Sequence, residues 1–259
     1  MTNNENYAIR PHKVNVGGIF IAALKGAIQP LSAVVFVPLF LLFPSLGAAL
    51  YYHVFSKQNE KSLNFKKGFF KSLDIKSVVA SELIYLISLY VTVKAVVYKI
   101  QEYFEIYQAK ALDSGVLQIG TAEQIEYSQS IKQILYLGGA LIFFVIAIIV
   151  TNTMIKCHHK DYCTTVSLSN KDAFKALGLN IIGYTLLFVT LGFCFSVLEA
   201  YYAQLKLMHL QGYILKTDAF DPTIVFNLLR IYFLHIAFFS LSLFAYASVG
   251  LKERISFKK

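Results

Sequence analysis

The sequence predicts an all-α protein, a polytopic bundle of membrane-spanning helices, and three observations predict it. First, the 259-residue chain is 56% hydrophobic and only 15% charged, with a mean hydropathy of +0.56; soluble domains carry about 25% charged residues. Second, the apolar residues gather in runs close to the roughly 20 residues that a helix needs to cross a bilayer. Third, lysines cluster between alternate runs, as the retention of positive charge on the cytoplasmic side requires. A net charge of +9 in a soluble chain would suggest nucleic acid as a partner. Here the lysines flank apolar spans and suit anionic headgroups instead, so no nucleic-acid partner is expected.

The start, M-T-N-N-E-N-Y, is polar and lacks both a basic n-region and a small-residue cleavage site, so the first apolar segments are expected to stay in the mature protein. Five spans follow: Leu31–Val54, Val78–Tyr98, Gln133–Ile155, Gly178–Ala200 and Ile224–Gly250. A sixth apolar piece, Val14–Ile28, holds Lys25 and ends at Gln29-Pro30; it is short for a crossing and reads as a further span or a re-entrant segment. The expected organisation is a polar tail over 1–13, one helical membrane domain over 14–250 and a basic tail over 251–259.

Between spans, segments 56–76, 156–177 and 251–259 carry six, four and four Lys or Arg; segments 99–132 and 201–223 carry three and two. Segment 99–132 also holds five acids, Glu102, Glu105, Asp113, Glu123 and Glu126. The C-terminus and the lysine-rich linkers are therefore expected to be cytoplasmic. Five spans would put the N-terminus outside, yet Arg10 and Lys13 argue for inside. A hairpin over 14–54, bent at Pro30, Pro38 or Pro44, reconciles the two, because neighbouring helices can satisfy the carbonyls that proline frees.

The stretch Ser62–Leu73, S-L-N-F-K-K-G-F-F-K-S-L, returns as Ser167–Leu177, S-L-S-N-K-D-A-F-K-A-L. Skipping Phe70 aligns eleven pairs, six of them identical: Ser62/Ser167, Leu63/Leu168, Lys66/Lys171, Phe69/Phe174, Lys71/Lys175 and Leu73/Leu177. Phe65, Phe69 and Leu73 share one helical face. Ser169-Asn170-Lys171-Asp172 reads as a capping box ahead of Ala173, Phe174 and Leu177. Short helices of this kind, Phe inward and Lys outward, lie flat at a headgroup boundary, so Lys66, Lys67, Lys71, Lys171 and Lys175 are the candidate headgroup ligands. We read a hairpin repeat, about 31–112 and 133–210, closed by the span 224–250. With no Trp in the chain, its 17 Tyr residues must supply the interfacial aromatic belt.

Pro44-Ser45-Leu46-Gly47-Ala48-Ala49-Leu50-Tyr51, followed by Ser56-Lys57 and Glu60, resembles a pattern of uncharacterised bacterial inner-membrane families, in which a span ends in P-x-L-x-x-G-L-Y ahead of a basic S-R-x-x-E segment. Ala173 and Asn180 are similar to the second half of such proteins. Ala49 stands where the pattern has Gly, and the Ser-Lys pair is shifted. The resemblance implies a polytopic protein of about six helices in the bacterial cytoplasmic membrane, and no activity.

Charges inside spans are costly unless paired or hydrated, which makes each a candidate site. Glu82 sits about one turn inside its span, and Lys94 lies near the other end, where its stem can carry the ammonium outward. Arg230 lies nearly two turns in from the external end of the last span and Glu199 at the external end of the span before it, which makes them the favoured pair, with Asn227 one turn from Arg230. They read as an ion pair that locks two helices or as part of a substrate or proton path. Lys25 is expected to reach Glu82 if the first segment re-enters from the cytoplasm. His53 and His235 read as hydrogen-bonded helix residues, and Cys194 as span packing. Cys157, His158, His159 and Cys163 offer zinc- or copper-type ligands, but C-H-H-x3-C is no standard spacing, so a polar turn is the favoured reading. A disulfide is not expected on a reducing side.

There is no G-x-S-x-G, H-E-x-x-H, Walker loop or dinucleotide-binding glycine pattern, so nothing points to an enzyme or a cofactor. The expected function is a non-enzymatic accessory, assembly or partner-binding subunit, toxin neutralisation being one such role. Its partner would be another membrane or envelope protein, with segment 99–132 as the binding surface. The alternative is a small transporter or channel that uses Glu82, Glu199 and Arg230. For orientation, an impermeant thiol reagent on intact cells is expected to label a Lys110→Cys variant and to miss Lys66→Cys and Lys171→Cys. Labelling either of the last two from outside overturns the sidedness.

Overall fold

A computed structural model of the chain describes residues 11, 13–26, 30–58, 75–114, 122–161, 170–210 and 222–249. Among them the regular structure is helical, without strands. The helices are α1 (Val16–Gly26), α2 (Pro30–Leu42), α3 (Pro44–Gln58), α4 (Ile75–Ser114), α5 (Ala122–Asp161), α6 (Asn170–Leu179), α7 (Ile181–Leu210) and α8 (Pro222–Ser248). Three prolines, Pro30, Pro44 and Pro222, occupy the first position of a helix, where the missing N–H has no intrahelical acceptor to lose.

Four helices contain stretches long and apolar enough to cross a membrane: Val78–Ile106, Glu126–His158, Ile181–Met208 and Thr223–Ser248. These correspond to four of the five expected spans. The other, Leu31–Val54, is not a single crossing. It breaks at Phe43, because the residue before a proline is disfavoured in helical geometry, and α3 restarts at Pro44. Phe36 and Tyr51 stack with ring centroids 4.7 Å apart. On one straight helix, fifteen residues would separate them by about 22 Å. The segment is therefore a helical hairpin whose two arms pack on each other and on α8.

Gly47 permits that fold-back. A Cβ there would lie 2.8 Å from the Phe40 Cα, a backbone atom that cannot rotate away. The expected sixth segment is α1, only 11 residues long. At 1.5 Å per residue it spans about 16 Å, half of the roughly 30 Å hydrocarbon layer. It packs on α7 and α8, and Val14 N–H donates to Asn180 Oδ1 at 2.9 Å. Gly183 makes room where these helices meet, since a Cβ there would stand 2.5 Å from the Phe244 ring and 3.1 Å from Val16.

The segment 99–132, the expected outer binding surface, is helical over 99–114 and 122–132. α4 continues to Ser114, α5 begins at Ala122, and each has 40 residues. The chain falls into two compact units, residues 79–146 and the remainder. Within 79–146 the two helices run antiparallel: Gly138 faces Thr92, and Tyr127 meets Tyr103 at 4.9 Å. In the other unit α8 is the hub, packing against α1, α2, α3 and α7. Its core is aromatic, with Phe40 stacked on Phe238 at 4.2 Å and Tyr184 edge-on to Phe244 at 4.6 Å.

The first copy of the repeated stretch, with Lys66, Lys67 and Lys71, lies outside the described residues. The second forms α6, with Asp172 in its first turn. Ala173 and Ala176 are its buried residues, whereas Phe174 is 58% exposed and Lys175 is exposed beside it. The small residues, not the Phe, seat this helix on the fold. The two repeat halves also differ at their first element, since 31–54 is a hairpin and 133–155 lies within the unbroken α5. From this packing, Gly47→Ala is expected to destabilise the protein by about 1–3 kcal/mol, the usual cost of overpacking. A thermal melt in detergent should show the midpoint several degrees lower, and an unchanged midpoint would contradict the fold-back.

Candidate functional site

On α7, Phe195, Glu199 and Tyr202 recur at helical spacing, and on α8 so do Thr223, Phe226, Asn227, Arg230 and Phe233; helix periodicity turns each set toward one side. The two stripes meet. Phe195 contacts Phe233 with centroids 5.7 Å apart, and Tyr202 contacts Phe226 at 4.9 Å. Between these ring pairs Arg230 grips Glu199 with both prongs: Nε donates to Oε1 at 2.5 Å and Nη2 to Oε2 at 2.6 Å. Nη1 donates to Asn227 Oδ1 at 2.8 Å, and the guanidinium carbon lies 4.5 Å from the centre of the Tyr202 ring. The Tyr202 hydroxyl in turn donates to Thr223 Oγ1 at 3.4 Å.

This is a fork-on-fork pair, the geometry that gives Arg–carboxylate contacts both strength and direction. Its side chains are 26% and 34% exposed. Each charge cancels the other at a depth where either alone would be costly. The arrangement fixes the rotation of α7 against α8 through five named side chains.

A second polar feature escaped the sequence reading. Adjacent tyrosines of α3 reach histidines on two different helices. The Tyr51 hydroxyl bonds to Nδ1 of His235 on α8 at 2.9 Å, and the Tyr52 hydroxyl bonds to Nδ1 of His158 on α5 at 3.4 Å. All four residues are buried. His158 also faces the Tyr246 ring at 4.7 Å. Nearby, Thr151 on α5 donates to the Ala147 carbonyl and bonds the Tyr184 hydroxyl of α7 at 2.9 Å. The signal that could have exposed this set is the Tyr51-Tyr52 pair inside an otherwise apolar run. A buried tyrosine hydroxyl needs a partner.

Other candidates scatter. Glu82 is buried on α4, while Lys94 on the same helix is exposed. Lys25 is exposed in the last turn of α1 and belongs to a different compact unit from Glu82. Lys99 pairs with Glu102 at 2.7 Å and lies 5.2 Å from the Tyr127 ring. In the Cys-His stretch, Cys157 and His158 are buried; the side chain of His159 and all of Cys163 lie outside the described residues. No group of three His, Cys, Asp or Glu side chains gathers among the described residues. Cys194 is exposed rather than packed inside a helix interface, and it lines an apolar groove of about 500 Å³ between α7 and α8.

No protein-family model, curated protein or solved structure matches the chain.

Two outcomes follow from the geometry. Tyr51→Phe removes the bond to buried His235, and loss of one partner of a buried hydrogen bond costs about 1–3 kcal/mol; chemical or thermal unfolding in detergent measures it. For the ion pair, Glu199→Gln or Arg230→Gln alone is expected to lower the melting midpoint more than the double variant does, because each single change strands one charge. Additive midpoint shifts would show that the two side chains act independently.

Proposed function

We propose that the chain is a non-enzymatic subunit of the bacterial cytoplasmic membrane that binds another membrane protein along the hairpin formed by residues 79–146. One observation carries this reading. In the most apolar window of Val78–Ile106 only 11% of the residues are buried by the chain's own fold, and Lys94 sits exposed within that stretch with no carboxylate partner among the described residues. A span that met only lipid would be uniformly apolar. A lysine on its surface is costly in hydrocarbon unless it is neutralised or led to the interface. A partner helix that presents a carboxylate at that depth satisfies it.

The helical continuation to Ser114 and from Ala122 supports the same reading. It carries Glu102, Glu105 and Glu126 with exposed Phe104 and Ile106, a mixed acidic and apolar surface of the kind that partners read. A membrane-acting toxin is one possible ligand of that chemistry. The lysine distribution places the C-terminus in the cytoplasm in this proposal, with Lys66, Lys67, Lys71, Lys171 and Lys175 at anionic headgroups.

The transporter reading rests on Glu82, Glu199 and Arg230. The two-pronged grip of Arg230 on Glu199 favours a structural lock over a path, since a transit site must release what it holds. Photocrosslinking from Tyr90 and Val97 in cells is expected to trap one partner, and Lys94→Glu to abolish the adduct while the protein still folds. Recovery of the chain alone, by crosslinking and by mild-detergent purification, would refute the proposal.

A further inference from the structure

Helix α4 has two opposed faces. One packs on α5, with Thr92 against Gly138 and Tyr103 against Tyr127. The other carries Leu83, Ile87, Tyr90, Lys94, Val97 and Gln101, all exposed. Leu83 and Gln101 stand about two and a half turns to either side of Thr92, so this stripe lies on the side away from α5. Taking the partner-binding hairpin of the proposed function as given, we infer that the stripe seats a membrane helix of a different protein, lengthwise, and that one aspartate or glutamate of that helix takes both the Lys94 ammonium and the Tyr90 hydroxyl.

Spacing and length select a helix as the occupant. The stripe advances by alternate fours and threes, the pattern that keeps one helix against another in a left-handed crossing of about +20°. From Leu83 to Gln101 it rises about 27 Å, nearly the whole hydrocarbon layer of roughly 30 Å. Lipid alone serves Lys94 poorly. The nearer boundary lies toward the C-terminal end of α4, at the Lys99–Glu102 pair, whereas side chains on a helix lean toward its N-terminus. An outward reach works against that lean. The lean instead brings Lys94 toward Tyr90, one turn back on the same stripe, where a single carboxylate from outside meets both.

A second copy of this chain is the wrong occupant. Copies inserted in one orientation and related by a two-fold axis along the membrane normal hold each residue at equal depth. The contacts of Thr92 and Tyr103 put Tyr136 of α5 level with Lys94, and α5 has no Asp or Glu from Tyr127 to Lys160. α4 has none between Glu82 and Glu102. Glu82 is buried and about 18 Å away along the helix, and Glu102 bonds Lys99. Glu199 has both oxygens on Arg230. Self-association along the stripe would set Lys94 against Lys94, a repulsion that low dielectric magnifies. The carboxylate comes from another sequence.

Photocrosslinking separates the occupants. A photoreactive phenylalanine analogue is placed singly at Ile87, Tyr90 and Val97 on the stripe and at Ile84 and Val93 beside it, all exposed. The full-length chain is expressed in cells of its native host beside a second, differently tagged copy. The stripe positions are expected to trap one partner through a membrane helix that contains Asp or Glu, and the flanking positions to give far less adduct. Lys94→Gln should lower the stripe adducts by about tenfold, the effect of stranding the partner's carboxylate, with the melting midpoint of the purified chain unchanged. Lys94→Glu combined with Lys at the partner's carboxylate should restore them. Equal yields on and beside the stripe, a trapped segment without an acid, or yields indifferent to Lys94→Gln overturn the inference while leaving a partner in place. A crosslink between the two tagged copies overturns it in favour of self-association. Adduct from none of the five positions refutes the partner reading itself.

Discussion

The packing of the larger unit depends on the reversal at Phe43-Pro44. Proline removes one backbone donor and bars its predecessor from helical geometry, and Gly47 then lets α3 close on α2 at backbone contact. Only with that closure does Tyr51 lie against Phe36 and Phe40, with its hydroxyl on His235. The neighbouring Tyr52 turns the other way, to His158 and Tyr246. Two consecutive residues on one short helix thus tie α3 to α8 and to the end of α5. In an apolar surrounding such bonds are directional constraints, because a polar group that loses its partner has no water to replace it.

α8 can serve as the hub for that arrangement because it is narrow where others approach. Ser240, Ser242, Ala245 and Ser248 are all buried, and small residues are what allow helices to come close without a hydrophobic drive between them. Two of the three hydroxyls are satisfied, while Ser242 Oγ is buried with no partner among the described residues. Ser240 donates to the Ile236 carbonyl at 2.7 Å and Ser248 to the Ala245 carbonyl at 2.8 Å, which satisfies the donor locally. Large rings from α2, α3 and α7 then fill the space above these positions.

Much of this was legible in the sequence where one residue type had one meaning. Apolar runs gave four spans, since length and composition settle that question. Glu199 and Arg230 could be matched because charges inside such runs are scarce. The hairpin was open as an alternative because three prolines crowded into 30–44, but hydropathy alone made 31–54 look like one crossing: it sums over residues and is blind to a reversal. The extent of α4 and α5 was missed for the converse reason. Residues 99–132 turn polar where a span would leave the hydrocarbon, yet helix propensity and pairs such as Lys99–Glu102 continue the helix past that point. What seats α6 on the fold was not read: the contact is made by Ala173 and Ala176, whose size permits it, while Phe174, expected at a headgroup boundary, stays exposed. For the Tyr–His bonds the sequence offered His235 as a hydrogen-bonded residue but not its partner, since the bonds join positions 184 and 106 apart.

The charged residues within the spans separate into two kinds, and the contrast bears on what each helix does. Arg230 is neutralised inside the chain, on a helix whose apolar window is 33% buried and which four others contact. Lys94 lies on the span with the least of its surface covered. If both charges served internal stability, both would sit where the chain packs most densely, since a lock needs two walls. A charge kept on the barest face contributes nothing to the fold and carries a desolvation cost. In the proposed function such a charge is a contact for a partner to complete, whereas Arg230 sits on the helix that the larger unit packs around.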